Sequence, residues 1–385
     1  MAFALVSMSV SPMETVLATE MQQPFWKFLF QASDLRRCYV IGVGVVGYGY
    51  WGPNLVRNFA DCPDTNVVAI ADLNSERLAS AKRRYPGIEM TSAFEDLITN
   101  PSVDAIAIST PVSTHFDLAM RALQANKHVL VEKPLTTSSE QAMRLIDEAE
   151  SRKLVLMVDH TFVYTGAVRK IRDLVEKGSL GELYYYDSVR VNLGLFQKDI
   201  DVVWDLAVHD LSIMDYILPD LPLAISATGI GHVLGAAEDI AYATVFYGSS
   251  LIAHLNVNWL SPVKIRRSLI GGSKQMIVYD DIESSEKVRV YDKGIVVNNG
   301  PEALYKQLVS YRSGDMYAPK IDGAEALGVE AQHFADCISH GSTPITDGYA
   351  GLRVVNTLEA ATRSMREQGR AVEIRPWKVT RAACA

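Results

Sequence analysis

The sequence has few cysteines, and they form neither a disulfide nor a metal-binding pattern. Four occur in 385 residues, at Cys38, Cys62, Cys337 and Cys384. Disulfide frameworks and zinc sites need cysteines at close, paired spacings, whereas these are far apart. The sequence therefore predicts no disulfide framework and no metal site, and it is typical of a protein from a reducing cytoplasm.

Positive charge and membrane-spanning segments are also lacking. The formal net charge is -8 at pH 7, and the lysines and arginines are scattered. Binding to nucleic acid needs a concentrated basic surface, so such a partner is not expected. The uncharged stretch 38–56 is nearly long enough to cross a bilayer, but it contains five glycines and a proline. We therefore expect no association with nucleic acid or membranes.

The length and composition of the chain fit two globular domains preceded by an extension. Hydrophobic residues make up 48% of the sequence and charged residues 21%, as in ordinary soluble domains. Residues 1–36 lack the basic start of a secretory signal and are predicted to lie outside the fold. We place the other boundaries at 37–158 for a first domain, 159–375 for a second and 376–385 for a tail.

A buried strand that runs into a glycine-rich turn organises the first domain. Two overlapping G-x-G-x-x-G patterns occur, and the first falls inside the apolar run 39–46, which is typical of a strand buried on both faces. The second consists of Gly47, Gly49 and Gly52 and precedes a segment able to form a helix. In a dinucleotide-binding turn these glycines permit the tight turn, the approach of the pyrophosphate and the packing of the helix.

An acidic residue follows at the distance that a dinucleotide site requires. Asp72 ends the next apolar run and lies 20 residues beyond Gly52, where a carboxylate accepts hydrogen bonds from the adenosine ribose. No arginine immediately follows it to receive a 2'-phosphate, which favours NAD over NADP. The alternative is a glycine-rich packing turn in another parallel-sheet fold. We predict NAD binding, with Tyr50 and Trp51 of the turn also contacting the cofactor.

The order of predicted elements indicates two fold classes in succession. Strands and helices alternate up to residue 158, the pattern of a doubly wound parallel sheet, and Ser75 is the predicted cap of one of these helices. Short strands separated by turn residues follow, with helices predicted at 203–217 and 324–339. The second half is therefore expected to be an α+β domain with mostly antiparallel strands.

Two strand ends bring polar residues to the carboxyl edge of the predicted parallel sheet. One carries Ser109-Thr110-Pro111 and the other Glu132-Lys133-Pro134. Ligands of doubly wound folds bind at this edge. A lysine in a partly desolvated site there can exchange a proton with a substrate hydroxyl. From this segment alone, a solvated lysine at a strand end is an equally good interpretation of Lys133.

The helix predicted at 203–217 carries a second polar cluster. Asp205 and His209 are four residues apart, so on a helix they project from one face. A carboxylate beside an imidazole raises the pKa of the imidazole, and both groups can bind vicinal hydroxyls. A lone pair of this kind is more often a surface or capping arrangement, so it needs a partner before it indicates catalysis.

These motifs occur together in the order and spacing of one family. The glycine turn, Ser109-Thr110-Pro111 followed by His115, Glu132-Lys133-Pro134 and the pair Asp205 and His209 resemble the Gfo/Idh/MocA (glucose-fructose oxidoreductase, inositol dehydrogenase, rhizopine catabolism) family. The resemblance runs from about residue 39 to residue 374. It implies an N-terminal α/β Rossmann domain and a C-terminal α+β domain with an open mixed sheet. That sheet is often used for oligomerisation, so a homodimer or homotetramer is expected.

The resemblance also implies roles for individual residues. The family transfers hydride between a nicotinamide ring and a carbon of a sugar or cyclitol. Lys133 matches the catalytic lysine, and Asp205 and His209 match the residues that bind substrate and transfer the proton. Thr110 and Pro111 would lie near the nicotinamide ribose. Further cofactor contacts are expected from Ser109, His115, Glu132 and Lys133 itself.

One segment departs from the family pattern. Relatives often carry an Asn-x-Arg-Phe-x-Pro-like segment where this chain has His160-Thr161-Phe162-Val163-Tyr164-Thr165. We expect His160 and Tyr164 from this segment to contact substrate, together with Lys133, Arg190 and Asn192. The tyrosines at 184–186 and Gln197 are further candidates, although tyrosines on a strand more often serve sheet packing.

A finer resemblance points to the substrate. Residues 47–58 and 203–218 are most similar to oxidoreductases that oxidise a UDP-linked N-acetylhexosamine at carbon 3. We expect an NAD-dependent dehydrogenase acting on a sugar or nucleotide sugar. The alternatives are a cyclitol or free-sugar dehydrogenase, an enzyme that recycles its cofactor in place, and a nicotinamide-binding sensor or partner subunit. Lys133, Asp205 and His209 together favour an enzyme, since a binding module has no need of all three.

Overall fold

The computed structural model describes residues 40–194, 200–233, 237–248, 250–297 and 309–375. The predicted extension at 1–36 and the predicted tail at 376–385 lie outside these residues, as does Gln197.

The first sheet has six parallel strands. They are β1 (Ile41–Val46), β2 (Thr65–Ala71), β3 (Glu89–Thr91), β4 (Ala105–Ile108), β5 (His128–Glu132) and β6 (Leu156–Asp159). Their order is β3-β2-β1-β4-β5-β6, the doubly wound order of a dinucleotide-binding fold. Every residue of β1 and β4 is buried, because helices cover both faces and alternate residues such as Ile106 and Ala107 enter two separate apolar clusters. The predicted Rossmann domain is confirmed.

Six helices belong to the segments that connect or follow these strands. They are α1 (Gly52–Asp61), α2 (Ser75–Arg84), α3 (Phe94–Thr99), α4 (His115–Gln124), α5 (Ser139–Arg152) and α6 (Gly166–Glu176). The predicted cap of α2 was wrong by one residue. Asn74 is the cap, because its extended backbone lets its side-chain oxygen accept hydrogen bonds from Glu76 N at 2.9 Å and Arg77 N at 3.2 Å.

The second sheet is mixed and mostly antiparallel. Its nine strands are β7 (Leu183–Leu193), β8 (Pro222–Ile230), β9 (Ile240–Tyr247), β10 (Ile252–Asn258), β11 (Leu260–Gly272), β12 (Met276–Asp280), β13 (Val288–Tyr291), β16 (Met316–Tyr317) and β17 (Val372–Glu373), and the pair β14 (Gly294–Val297) and β15 (Val309–Arg312) is separate. The order is β16-β13-β12-β11-β7-β10-β9-β8-β17. Among the described strands of this sheet only β7 and β10 pair in parallel. The predicted α+β domain with an open mixed sheet is confirmed.

Three helices complete the second half, and one of them was not predicted. A π-helical turn at Val203–Ala207 leads into α7 (Val208–Ile217), and α8 (Ala326–His340) follows later. The unpredicted helix is α9 (Gly348–Arg366), which Asp347 caps by accepting a hydrogen bond from Ala350 N at 2.8 Å. It contacts both α5 and β8. Helix α9 therefore packs against elements of both sheets.

No helix in the described ranges is long and apolar enough to cross a membrane.

Candidate active site

Close packing explains why the first glycine pattern lies inside a strand. A Cβ atom on Gly42 would overlap the carbonyl oxygen of Ser102, and one on Gly44 would lie 3.0 Å from Leu97 Cδ2. Backbone packing therefore requires glycine at Gly42 and tight side-chain packing favours it at Gly44, so the first pattern is explained by packing and the second is the candidate for the ligand-binding turn.

The second pattern forms a turn that fits a dinucleotide. Gly47 has a φ of +91°, a conformation that only glycine adopts readily. A Cβ atom on Gly52 would overlap the carbonyl oxygen of Gly47, so glycine there lets α1 pack onto the turn. A Cβ atom on Gly49 would meet nothing closer than Arg77 Nη1 at 3.7 Å. The backbone at Gly49 is therefore open to a ligand diphosphate, which the N-terminus of α1 also favours.

Asp72 is held against this turn by backbone hydrogen bonds. Its Oδ2 atom accepts a hydrogen bond from Tyr48 N at 2.6 Å, and its Oδ1 atom accepts one from Asn74 N at 2.7 Å. Arg77 Nη1 lies 3.6 Å from Asp72 Oδ2. The sequence did not reveal this arginine because it stands five residues after Asp72, in the first turn of α2. A carboxylate and a guanidinium therefore both border the place expected for the adenosine ribose.

The Ser109-Thr110-Pro111 turn is tied to the glycine turn and to the end of β5. Ser109 Oγ donates a hydrogen bond to Gly47 O at 2.8 Å. His115 is buried, and its two ring nitrogens lie 2.9 Å from Thr110 O and 2.9 Å from Pro134 O. The imidazole thus braces two strand-end turns against each other. A direct contact between His115 and the cofactor stays a prediction.

Lys133 and Asp205 form an ion pair, which the sequence analysis did not predict. Lys133 Nζ lies 3.1 Å from Asp205 Oδ1 and donates a hydrogen bond to Asp205 O at 2.9 Å. The other carboxylate oxygen of Asp205 accepts a hydrogen bond from Trp259 Nε1 at 3.1 Å. The two side chains of the ion pair are 16% and 19% exposed, so a ligand can still reach them. Trp259 was missed because a tryptophan 54 residues away gives no local signal.

The spacing of Asp205 and His209 predicted an imidazole beside a carboxylate, but the charges that act on His209 are positive. Within the described residues the Asp205 carboxylate bonds Lys133 and Trp259 rather than His209. The pKa of His209 is held well below its ordinary value by burial first, and then by the positive charges of Lys133, Arg190 and Arg266. The prediction that Asp205 raises this pKa is therefore wrong. Among the described residues His209 Nδ1 has no hydrogen-bond partner.

An aromatic ring lies at the centre of this part of the site. The ring of Phe162 lies edge-on to His209, with 5.0 Å between ring centroids. Its centroid is 4.6 Å from Arg190 Cζ and 5.6 Å from Arg266 Cζ, and these arginines are opposite each other on β7 and β11. Phe162 and Arg266 were missed, although Phe162 stands in the segment that departs from the family pattern. Cation–π contact with Phe162 helps to hold both arginines.

Arg190 is a buried member of an ion pair. Its Nε atom lies 2.8 Å from Asp210 Oδ2 and its Nη2 atom 3.2 Å from Asp210 Oδ1. Its Nη1 atom is buried and has no partner within the described part of the chain. Asn192 follows two residues later on β7 and is half-buried, so it lies on the same face of the sheet.

The two predicted residues of the departing segment have different positions. His160 is buried, neither ring nitrogen has a partner in the described ranges, and burial followed by the charge of Lys133 lowers its pKa to about 3. It is therefore a neutral group beside the lysine. Tyr164 lies in the core, and its hydroxyl is 2.9 Å from Thr346 Oγ1. The Tyr164 hydroxyl is therefore buried and already bonded, and a contact between Tyr164 and substrate stays a prediction.

The remaining predicted cofactor residues are also arranged differently from one another. The Tyr50 side chain is 83% exposed, whereas the Trp51 indole donates a hydrogen bond to Asp159 Oδ2 at 2.7 Å. Glu132 pairs in register with Asp159 on the adjacent strand. Burial and then the charge of Asp159 raise the pKa of Glu132 well above its ordinary value. The Trp51 indole thus faces Asp159, and direct contacts of Trp51 and Glu132 with the cofactor stay predictions.

Comparisons with known proteins agree with this architecture. Residues 41–160 match the oxidoreductase family, NAD-binding Rossmann fold, of the Gfo/Idh/MocA group, and residues 172–374 match its C-terminal alpha/beta domain. The UDP-N-acetylglucosamine 3-dehydrogenase of Acidithiobacillus ferrooxidans is 28% identical over 320 residues, 81% of this chain and 93% of that protein. Its solved structure covers 86% of this chain and 99% of that chain, with a TM-score of 0.71 at 25% identity.

A second relative acts on a cyclitol according to its name. The myo-inositol 2-dehydrogenase of Thermotoga maritima is 26% identical over 347 residues, 85% of this chain and 96% of that protein. The two family matches together span both sheets and most of the described residues. This chain therefore belongs to the Gfo/Idh/MocA oxidoreductase family of NAD(P)-dependent dehydrogenases, which act on CH–OH groups of sugars.

Proposed function

We propose that this protein is an NAD-preferring dehydrogenase that oxidises a nucleotide sugar, at carbon 3 of a UDP-linked N-acetylhexosamine. The observation that carries the proposal is the ion pair of Lys133 and Asp205, in which a lysine following β5 meets a carboxylate of the turn before α7 at 3.1 Å. The His115 bridge ties the turn of this lysine to Thr110 and thereby to the glycine turn. The Lys133–Asp205 ion pair, which can bind a substrate hydroxyl, is thus connected by hydrogen bonds to the turn proposed to bind the dinucleotide.

Bound NAD would supply the acceptor for the hydride that leaves the carbinol carbon. The glycine turn would hold its diphosphate, and Asp72 would accept hydrogen bonds from its adenosine ribose. The preference for NAD rests on Asp72, since its carboxylate would repel a 2'-phosphate. Arg77 is the opposing feature, because its guanidinium lies beside that carboxylate.

Lys133 and His209 divide the proton chemistry in this proposal. Oxidation removes a proton from the substrate hydroxyl, and this proton passes to the imidazole of His209, which burial and the nearby positive charges keep neutral before the reaction. The Lys133 ammonium donates a hydrogen bond to the same oxygen and stabilises the charge that develops on it. Asp205 keeps Lys133 in place rather than activating His209.

Two features support a nucleotide sugar as the substrate. The relative from Acidithiobacillus ferrooxidans is named for this chemistry and aligns over most of both chains. In addition, Arg190 and Asn192 share the sheet face that borders His209, and Arg190 keeps a buried N–H group without a partner in the described residues. Such donors suit the oxygen-rich surface of a sugar or diphosphate.

A cyclitol is the second candidate. The myo-inositol 2-dehydrogenase of Thermotoga maritima aligns over 96% of its length, and a polyol offers the same vicinal hydroxyls to Lys133 and His209. A cyclitol has no diphosphate, so Arg190 would contribute less to its binding.

The test is NADH formation with a panel of candidate substrates. The purified protein is incubated with NAD and either UDP-N-acetylglucosamine, UDP-N-acetylgalactosamine, myo-inositol or glucose, and the product is reduced with borodeuteride to mark the oxidised carbon. The proposal predicts a 3-keto nucleotide sugar as the preferred product. Preference for myo-inositol would establish the second candidate, and preference for glucose would contradict both.

A further inference from the structure

Three acidic side chains lie close to one another near Trp51, and the proposed chemistry uses none of them. Glu132 and Asp159 end adjacent strands in register, and Glu330 comes from α8 in the C-terminal segment. Asp159 is 1% exposed and Glu330 is 0% exposed. Full burial of two neighbouring carboxyl groups is costly unless their charge is reduced or paired.

Asp159 is bonded as an acceptor on both oxygens. Its Oδ2 atom accepts a hydrogen bond from Trp51 Nε1 at 2.7 Å, and its Oδ1 atom accepts one from the Thr161 hydroxyl. Both donors suit the ionised form of the carboxylate.

Glu330 has no such donors. Neither of its carboxyl oxygens accepts a hydrogen bond among the described residues, yet the Asp159 carboxyl group and the Thr161 hydroxyl both lie within hydrogen-bonding range of it. The neighbouring Thr161 hydroxyl donates to Asp159 instead. Two carboxyl groups at such a distance cannot both ionise, so one must carry a proton and donate it.

We propose that Glu330 carries that proton and donates it to Asp159, and that this buried acid pair positions Trp51 and with it the phosphate-binding turn. Trp51 is the residue before α1, and its carbonyl oxygen accepts the first hydrogen bond of the helix, from Asn54 N at 2.8 Å. Glu330 is thus a positioning residue for the cofactor, acting through Asp159 and Trp51.

Other contacts between α8 and α1 support this role. Arg57 Nη2 on α1 lies 2.5 Å from Oε1 of Glu325, the N-cap residue of α8. The ring of Phe334 on α8 lies edge-on to the ring of Phe59 on α1, with 6.1 Å between the ring centroids. Helix α8 therefore contacts α1 at several points along its length. The acid pair acts on Trp51, which is closer in sequence to the glycine turn than Arg57 or Phe59. The inference applies whichever sugar the enzyme oxidises.

The charged and titratable groups that face Glu330 come from three elements: Glu132 of β5, Asp159 of β6 and Tyr164 of the turn 161–164. None of these supplies a positive charge. Burial, followed by the charge of Asp159, accordingly raises the pKa of Glu330 well above its ordinary value. In this pair Glu330 is a neutral, protonated acid and Asp159 is an ionised carboxylate.

The experiment measures NAD affinity by protein fluorescence in the wild type, Glu330→Gln and Glu330→Leu between pH 6 and pH 9. A glutamine N–H can replace the donated proton, so Glu330→Gln should bind NAD within about twofold of the wild type at pH 6, whereas Glu330→Leu should bind roughly 10-fold more weakly. As the pH rises through the pKa of Glu330, the NAD affinity of the wild type should fall, and that of Glu330→Gln should not. Equal loss in the glutamine and leucine variants would overturn the proposal.

A double-mutant cycle separates positioning from general stability. Trp51→Phe removes the indole N–H, so Glu330→Leu should cause little further loss of NAD affinity in that background. Additive losses would contradict a path through Trp51. Should Glu330→Leu not fold, the infrared difference spectrum of the wild type minus Glu330→Gln at pH 6 still tests the proton on Glu330, because it must contain a protonated carboxyl band that the variant has lost, and a spectrum without that band would overturn the proposal.

Discussion

Lys133 Nζ lies 3.1 Å from Asp205 Oδ1 although 72 residues separate them in the sequence. The lysine follows β5 of the parallel sheet, and the aspartate belongs to the π-helical turn before α7. Their contact joins the dinucleotide-binding half to the half that carries His209. Asp205 therefore positions the Lys133 ammonium, and a substitution of Asp205 should act through Lys133.

Asp205→Asn should lower turnover by roughly 100-fold while leaving NAD affinity nearly unchanged. The amide removes the charge that holds Lys133, so the ammonium no longer meets the substrate oxygen in a fixed position. Steady-state kinetics and a separate NAD titration measure the two quantities. Trp259→Phe is the comparison, because it removes the hydrogen bond to Asp205 Oδ2 but leaves the charge that pairs with Lys133, and it should therefore lower turnover less. Equal losses in both variants would show that placement of Asp205, rather than its charge, is what matters.

The cofactor preference should depend on Asp72 and Arg77 in opposite directions. Asp72→Ser should narrow the preference for NAD over NADP by roughly 10-fold, because a charge-assisted hydrogen bond to the ribose is lost and repulsion of a 2'-phosphate is relieved. Adding Arg77→Ala should remove the gain in NADP binding. Fluorescence titrations with both nucleotides measure this. A preference for NADP in the unmodified protein would show that Arg77 outweighs Asp72.

Much of the fold could be predicted because its signals are local. The apolar runs of β1 and β4, the glycine turn and the spacing of Asp72 each lie within a short stretch and require little from the rest of the chain. The cap of α2 shows the limit of such signals, since Asn74 and Ser75 are both good caps and only backbone conformation decides between them. Helix α9 was missed because its buried face depends on contacts with both α5 and β8.

The candidate site was harder to predict because its chemistry comes from distant residues. A spacing of four residues suggested that Asp205 would bond His209, but Lys133 and Trp259 compete for that carboxylate from other elements. The low pKa of His209 likewise arises from burial and from lysine and arginine charges brought in by the fold. Spacing along one helix cannot reveal such neighbours.

Stability should fall on acidification in part because of His160. Its pKa in the folded protein is about 3 against an ordinary 6.5, so the unfolded chain binds more protons as the pH drops below about 6.5, and the free energy of unfolding decreases. Between pH 7.5 and pH 5.5 the free energy of unfolding of the wild type should decrease by roughly 1.4 kcal/mol more than that of His160→Gln. Urea unfolding at both pH values measures this, and the exposed His254→Gln controls for loss of a surface histidine. Parallel curves for the wild type and His160→Gln would contradict the buried neutral state.

The open face of the second sheet is expected to form a subunit interface. Phe246 and Ile252 are opposite each other on β9 and β10 and are 38% and 44% exposed, and exposed apolar sheet faces are usually covered. Light scattering should show a dimer or tetramer, and Ile252→Lys should shift it towards the monomer. Ile345→Lys, an exposed isoleucine outside the sheet, is the control. A wild-type monomer at micromolar concentration would exclude the interface.

The central claim is that hydroxyl oxidation takes place at Lys133. The most direct measurement is the rate of NADH formation from UDP-N-acetylglucosamine by the wild type, Lys133→Ala and Lys133→Arg, with NAD affinity measured on the same samples. Lys133→Ala should lower turnover by roughly 100- to 10,000-fold with NAD binding largely intact. Lys133→Arg should retain more activity, because arginine keeps the positive charge although it cannot release a proton. Near-normal turnover in Lys133→Ala would show that the reaction takes place elsewhere.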